Sequence, residues 1–185
     1  MRKDILIRLF VVIQLVLVIA IAAAGHSSAQ EASPETAGSI EIFGAVGSQL
    51  TLSLADIQAL PSETVEVDYR ADDGTDVHHS YTGVRLWDVM QLVQPAIDPQ
   101  APESSLYLYL VLTAKDGYVV VLSMGEIDPE FGGQPILLAW NEDDQALSEE
   151  YSPFVLVTPG DQTEGRYIHG IVSIEVRSAI QEAAG

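Results

Sequence analysis

The sequence contains no cysteine. A disulfide framework and a protein thiolate are both excluded by that single absence. Export to an oxidising compartment would permit disulfides, and this chain makes no use of them. The roughly 150 residues that follow its first segment can bury a core without covalent staples. Positive charge is the next scarcity, with 8 Lys and Arg against 27 Asp and Glu and a formal net charge of -19. Setting aside Arg2, Lys3, Arg8 and Asp4 leaves 5 basic residues against 26 acidic ones, or a net charge of −21. The five are Arg70, Arg85, Lys115, Arg166 and Arg177. Such a surface repels phosphates, which excludes nucleic acid as a partner and disfavours anionic membranes. It also promotes solubility and suits a salty exterior. The common catalytic signatures GxSxG, P-loop, HExxH, GxGxxG and CxxC are missing as well.

What is present starts with a leader. MRKDILIRLF carries three cations and runs into an apolar stretch from Leu9 to Ala24, followed by Ser27, Ser28 and Ala29. This pattern predicts a signal peptide over residues 1–29, cut after Ala29. The alternative is an uncleaved N-terminal membrane anchor, although Gln14 interrupts the run and its length is near the lower limit for a span of ~20 residues. Either reading places the remainder outside the cytoplasm, and only the second attaches it to a membrane. QEASPETAG, residues 30–38, reads as a linker.

A folded domain is expected over residues 39–178, with a frayed tail at 179–185. IEIFGAV alternates as a strand. In LTLSLADIQALP, Ser53 and Asp56 have capping-box spacing, and Pro61 ends a helix of about two turns. TVEVDYR and HHSYTGV read as two strands flanking a polar loop. RLWDVMQLVQP reads as a helix with Leu86, Val89, Met90 and Val93 on one face. LYLYLVLTA is apolar nearly throughout and predicts a strand covered on both faces. Asp116-Gly117 then turns the chain into YVVVLS, and Ser123 with Glu126 opens another short helix. PILLAWNEDD, SPFVLVTPG and GIVSIEVRS are further strands. Seven or eight strands with three short helices make an α+β fold, a single domain of mixed β-sheets.

Few residues stand out chemically. His78 and His79 are adjacent, so in a strand they face opposite sides and serve one metal ion poorly. They read as the end of a solvated loop, one histidine core-facing and one exposed. DDGTD lacks EF-hand spacing. Trp87 and Trp140 read as core, and the clusters Glu142, Asp143, Asp144 and Glu149, Glu150 as solvated faces. In DQTEGRYIHG, Arg166 and His169 lie three apart between two strands. They have the character of a phosphate or carboxylate receptor, unless Arg166 pairs with Asp161 or Glu164.

Several segments, in order, resemble the oxidoreductase molybdopterin-binding domain, the catalytic fold of sulfite oxidases and their bacterial relatives. IEIFGAVGSQLTLSLADIQALP is similar to its opening strand, glycine and L-x-L-x-D-L-x-x-L-P helix. YTGVRLWDVMQLV resembles W-x-G-V-x-L-x-D-L-L, and LTAKDGYVVVLSMGEI resembles S-A-D-G-Y-x-x-x-L-x-x-E. LLAWNEDDQALSEEYSPFVLVTPG and RYIHGIVSIEV resemble the two closing segments. The likeness spans residues 39 to 177 and implies a mixed α/β fold around a molybdenum pterin cofactor. Active members oxidise sulfite or reduce S- and N-oxides and methionine sulfoxide.

By that resemblance, a cysteine ligand to molybdenum belongs in the loop after TVEVDYR, where this chain has RADDGTDVHH. Arg166 keeps a positive charge at one matched position and His169 partly replaces another, while Gly170 stands where the family has Trp. Asp161 and Glu164 would repel the pterin pyrophosphate. The leading expectation is therefore a member of this fold without the usual molybdenum catalysis. No catalytic or metal-ligating residue is assigned, and no cofactor is expected. Its partner would be an extracytoplasmic small molecule or protein. The alternative is an oxidoreductase holding molybdopterin through the pterin dithiolene alone, with Arg166, His169, Arg70 and His78 in contact. A metal-dependent protein using Asp72, Asp73, Asp76 and His79 ranks third. The leader yields the first test: protein recovered outside the cytoplasm should have an intact mass beginning at Gln30, whereas a full-length mass in the membrane fraction would identify the anchor.

Overall fold

The computed structural model describes residues 38–71 and 73–180. The expected signal peptide or anchor, the linker up to residue 37, Asp72 and the tail from residue 181 lie outside the described residues. Among the described residues, no helix is long and apolar enough to cross a membrane.

Alternating side chains build two sheets that share one core. The first sheet holds β1 (Ser39–Gly44), β2 (Leu50–Ser53), β5 (Leu108–Ala114), β6 (Val119–Ser123) and β11 (Ile171–Ser178), in the order β2-β1-β11-β5-β6. β1 and β11 pair in parallel, Glu41 opposite Ser173, so strands from the two ends of the domain lie side by side. The second sheet runs β10-β9-β7-β4-β3, with β8 beside β7. Its strands are β3 (Ser62–Arg70), β4 (Asp76–Arg85), β7 (Leu137–Glu142), β8 (Gln145–Ala146), β9 (Val155–Val157) and β10 (Ile168–His169). Between the sheets Ile40, Ile42, Leu110, Leu112, Ile174, Val84, Leu138 and Leu156 are buried. Fully burying each such side chain stabilises the fold by about 1.5–3 kcal/mol.

Three short helices close the core. Ser53 caps α1 (Leu54–Gln58) in the expected box with Asp56, and Ile57 is buried. In α2 (Leu86–Val93) the four residues of the apolar face, Leu86, Val89, Met90 and Val93, are all buried. Ser123 and Glu126 form the expected capping box of α3 (Met124–Ile127). Trp87 and Trp140 are partly buried against the same core.

Several expectations need correction. Among the described residues eleven strands form rather than seven or eight, because LTLS pairs with β1 while β8 and β10 are two-residue strands with no sequence period of their own. α1 is five residues long, shorter than two turns. Residues Pro102–Tyr107 form a 3-10 helix, so Leu106 and Tyr107 precede β5 and are exposed. β5 alternates between fully and half-buried positions, so one face alone is fully covered. The both-faces-buried character belongs instead to the second sheet. Its outer side buries Val67, Tyr81, Leu137, Ala139, Val155, Val157 and Tyr167 as a second cluster. Of the expected tail, only Ala179 and Ile180 are described, and the Ala179 N–H donates to Tyr107 O at 2.7 Å.

β6 is an edge strand. Its outward residues Val119 and Val121 are about half exposed, and YVVVLS carries no charge and no proline. Gly83, by contrast, sits inside the second sheet where β4 shifts register against β7. A Cβ there would lie 2.5 Å from Leu138 O and 2.6 Å from Ala139 Cα. Gly83→Ala should therefore cost about 1–3 kcal/mol, measured as a lower urea midpoint with an unchanged m-value.

Candidate functional site

The stretch DYRADDGTDVHHSY is a hairpin whose second strand starts at Asp76, two residues before the expected His78. β3 and β4 stay paired out to Arg70 opposite Asp76, which leaves five residues for the turn. Ala71 N–H donates to Thr75 O at 2.9 Å, and the Asp73 carboxylate accepts from Thr75 N–H at 2.9 Å. Both histidines lie inside β4, on opposite faces as their spacing requires. His78 is exposed and reaches Asp68 at 2.8 Å and Glu66 at 3.1 Å. The hydrogen bond to Asp68, with the charges of Asp68 and Glu66, raises its pKa. His79 is half-buried, and its Nδ1 lies 2.8 Å from Asp143. Asp143 also accepts from the Ser80 N–H at 2.9 Å, so this residue of the acidic turn is a tether and not merely a solvated charge. Among the described residues, no group of three or more His, Asp or Glu could hold a metal ion.

The hairpin tip leans on the segment between β9 and β10. Arg70 N–H donates to Gln162 O at 3.0 Å, and Arg70 bridges to Thr163. That segment turns at Gly160 and is fixed by a cluster of ions. Arg166 donates through Nε and Nη2 to the two oxygens of Asp161, at 2.7 and 2.6 Å. Its Nη1 donates to Glu126 Oε1 at 2.9 Å. The other Glu126 oxygen accepts the Ser123 N–H at the head of α3. Thr158 Oγ1 adds a 2.9 Å bond to Asp161. These bonds hold the Asp161 carboxyl below the usual carboxylate range and raise the Arg166 pKa.

Two cavities flank Gly160 and Asp161. One, of about 540 Å³, faces the hairpin and is lined by Asp68, Tyr69, Arg70, Asp76, His78 and Gln162 among others. The second, of about 460 Å³, faces α3 and includes Ser123, Glu126, Gln134, Thr158 and Arg166. The first thus carries Asp68, Asp76 and Asp161 against Arg70, whose Nη2 is taken by Asp76 at 2.6 Å. In the second, Glu126 and Asp161 face Arg166 alone. Both are acidic on balance.

The four residues expected at the site are therefore divided. Arg70 and His78 line one cavity and Arg166 the other, with Asp161 shared between them. His169 lines neither; it stacks on Tyr151 with ring centroids 4.1 Å apart, and burial pushes its pKa down. Sequence reasoning missed Glu126, forty residues from Arg166. Its visible role as a capping residue gave no sign of the second bond. It also missed the aromatic group on the outer side of the second sheet, where Tyr69 and Tyr167 lie 5.2 Å apart. Burial pushes Tyr167 up to about 12, and Tyr81 donates to Glu142 at 2.8 Å.

A group whose folded pKa is lowered stabilises the fold above its unfolded pKa, near ~4 for Asp, and loses that contribution as pH falls through the folded value. Asp161→Asn should cost about 1 kcal/mol at neutral pH. The gap from wild type should close below pH ~4, as read by urea denaturation across a pH series.

With this geometry in view, comparison with known proteins is informative. No curated protein sequence matches the chain. Among solved structures, the sulfane dehydrogenase SoxCD of Paracoccus pantotrophus superposes with a TM-score of 0.61 at 16% identity. The match covers 75% of this chain and 38% of that one, so this chain spans well under half the length of SoxCD. At that identity the likeness establishes the fold, a mixed-sheet sulfite oxidase-like domain. The profile of the oxidoreductase molybdopterin binding domain matches residues 26–182, and the chain belongs to that family.

Proposed function

We propose that this chain is an extracytoplasmic member of the family that works by binding a small molecule or protein and not by molybdenum catalysis. One observation carries the reading: every Lys and Arg side chain among the described residues is already engaged. Arg70 pairs with Asp76, Arg85 with Glu63, Arg166 with Asp161 and Glu126, and Arg177 with Glu175. Lys115 donates to Glu149 O at 2.9 Å.

The family's cofactor brings an anionic pyrophosphate and a soft metal. The first needs free donors and cations, and the second favours thiolate ligands. This donor set consists of carboxylates, imidazoles and neutralised guanidinium groups, and the chain has no cysteine. The residues present do not fit that group. The hairpin geometry supports the same reading, because the turn matched to the family's ligand loop is closed by its own hydrogen bonds. The leader supports export, and the acidic surface weighs against nucleic acid.

The second reading is an oxidoreductase holding molybdopterin without a protein thiolate, with contacts from Arg166, His169, Arg70 and His78. It draws on the family and on the likeness to the sulfane dehydrogenase SoxCD. Arg166 would have to leave Asp161 or share its charge with both partners. Expression in a host that makes the molybdenum cofactor, followed by metal and pterin analysis, separates the two. The expected result is protein with substoichiometric molybdenum and no pterin; one molybdenum per chain would overturn the proposal.

A further inference from the structure

A groove of about 540 Å³ opens between the proline-rich loop after α2 and the turn after α3. Trp87, Pro95, Ile97 and Pro99 line its apolar walls, Asp128 and Glu130 bring carboxylates, and no Lys, Arg or His lines it. Asp128 is the unusual member. It is 5% exposed, a level at which carboxylates are ordinarily paired. Its Oδ1 accepts the Glu130 N–H at 3.0 Å, and no donor among the described residues reaches Oδ2. That atom is not wholly enclosed, and Asp128 is one of the groove's lining residues.

A tryptophan and a little-exposed carboxylate lining one groove are groups suited to a cation with an apolar skin. The indole face attracts positive charge through its quadrupole, and the attraction grows where water is excluded. Proline rings keep the walls stiff, so little ordering is needed on binding. A neutral apolar guest would leave Asp128 Oδ2 without a partner. A hard metal ion needs six or more oxygen ligands, and here two carboxylates, of which only Asp128 is buried, stand on mainly apolar walls. The protein's overall negative field adds to the local concentration of any cation.

We propose that this groove binds a small organic cation with a methyl-rich head, of the quaternary ammonium class, held between Trp87 and Asp128. The proposal is independent of whether the hairpin region carries a cofactor. It is tested on the full chain with choline and its neutral carbon isostere 3,3-dimethylbutan-1-ol, followed by calorimetry and amide chemical shifts. Choline should bind about tenfold more tightly than the isostere, with shifts confined to residues 87–102 and 128–130. Asp128→Asn, which keeps an acceptor for the Glu130 N–H, should remove that preference while leaving isostere binding unchanged. Trp87→Leu should abolish choline binding, and thermal melts of both variants confirm that they remain folded. Equal affinity for the two probes, shifts located elsewhere, or displacement of choline by equimolar calcium would overturn it.

Discussion

The guanidinium of Arg166 joins three segments that are distant in sequence: the turn after β9, the head of α3 and the approach to β10. Its bidentate grip on Asp161 shapes the 158–166 segment. The third bond ties that segment to Glu126, whose other oxygen caps α3. The hairpin tip is positioned at one remove, because Arg70 N–H bonds Gln162 O on the same segment. Both cavities beside Gly160 inherit their walls from this arrangement. A partly buried, hydrogen-bonded pair of this kind is more valuable for geometry than for net stability, since desolvation offsets much of the Coulomb gain. Arg166 thus organises the scaffold around both cavities.

Much of the fold was legible because local rules and burial agreed. The α2 face, both capping boxes and the Asp116-Gly117 turn all formed where their patterns put them. What escaped were elements defined by their neighbours. LTLS becomes a strand only because β1 offers it a partner, and β10 is two residues long. The second strand of the hairpin begins at Asp76, two residues before the expected His78, since exposed strand ends need no apolar alternation. At the site, the sequence identified Arg166 and Asp161 as potential partners five residues apart. Glu126 could not be found that way, because contact over forty residues is a property of the folded chain. His169 fared differently again: its place beside Arg166 in the sequence says nothing of a ring turned onto Tyr151.

Charge has two distinct roles in this molecule. The net excess of carboxylates acts at long range, on solubility and on which partners can approach. Among the described residues the four arginines act at contact distance on the protein's own acids, and Lys115 on a backbone carbonyl. Exposed pairs such as Arg70–Asp76 contribute little to stability, yet they still withdraw donors from solvent.

The uncharged edge of β6 gives the acidic surface a further meaning. Open backbone groups flanked by Val119 and Val121 form a template onto which another strand can add. The strand carries no lysine or proline of its own to discourage this. Repulsion between like-charged molecules opposes the approach of such edges, and its reach shrinks to about 8 Å at physiological ionic strength and about 3 Å in molar salt. Colloidal protection of this strand is thus delegated to distant carboxylates, and it weakens as the surrounding medium grows saltier.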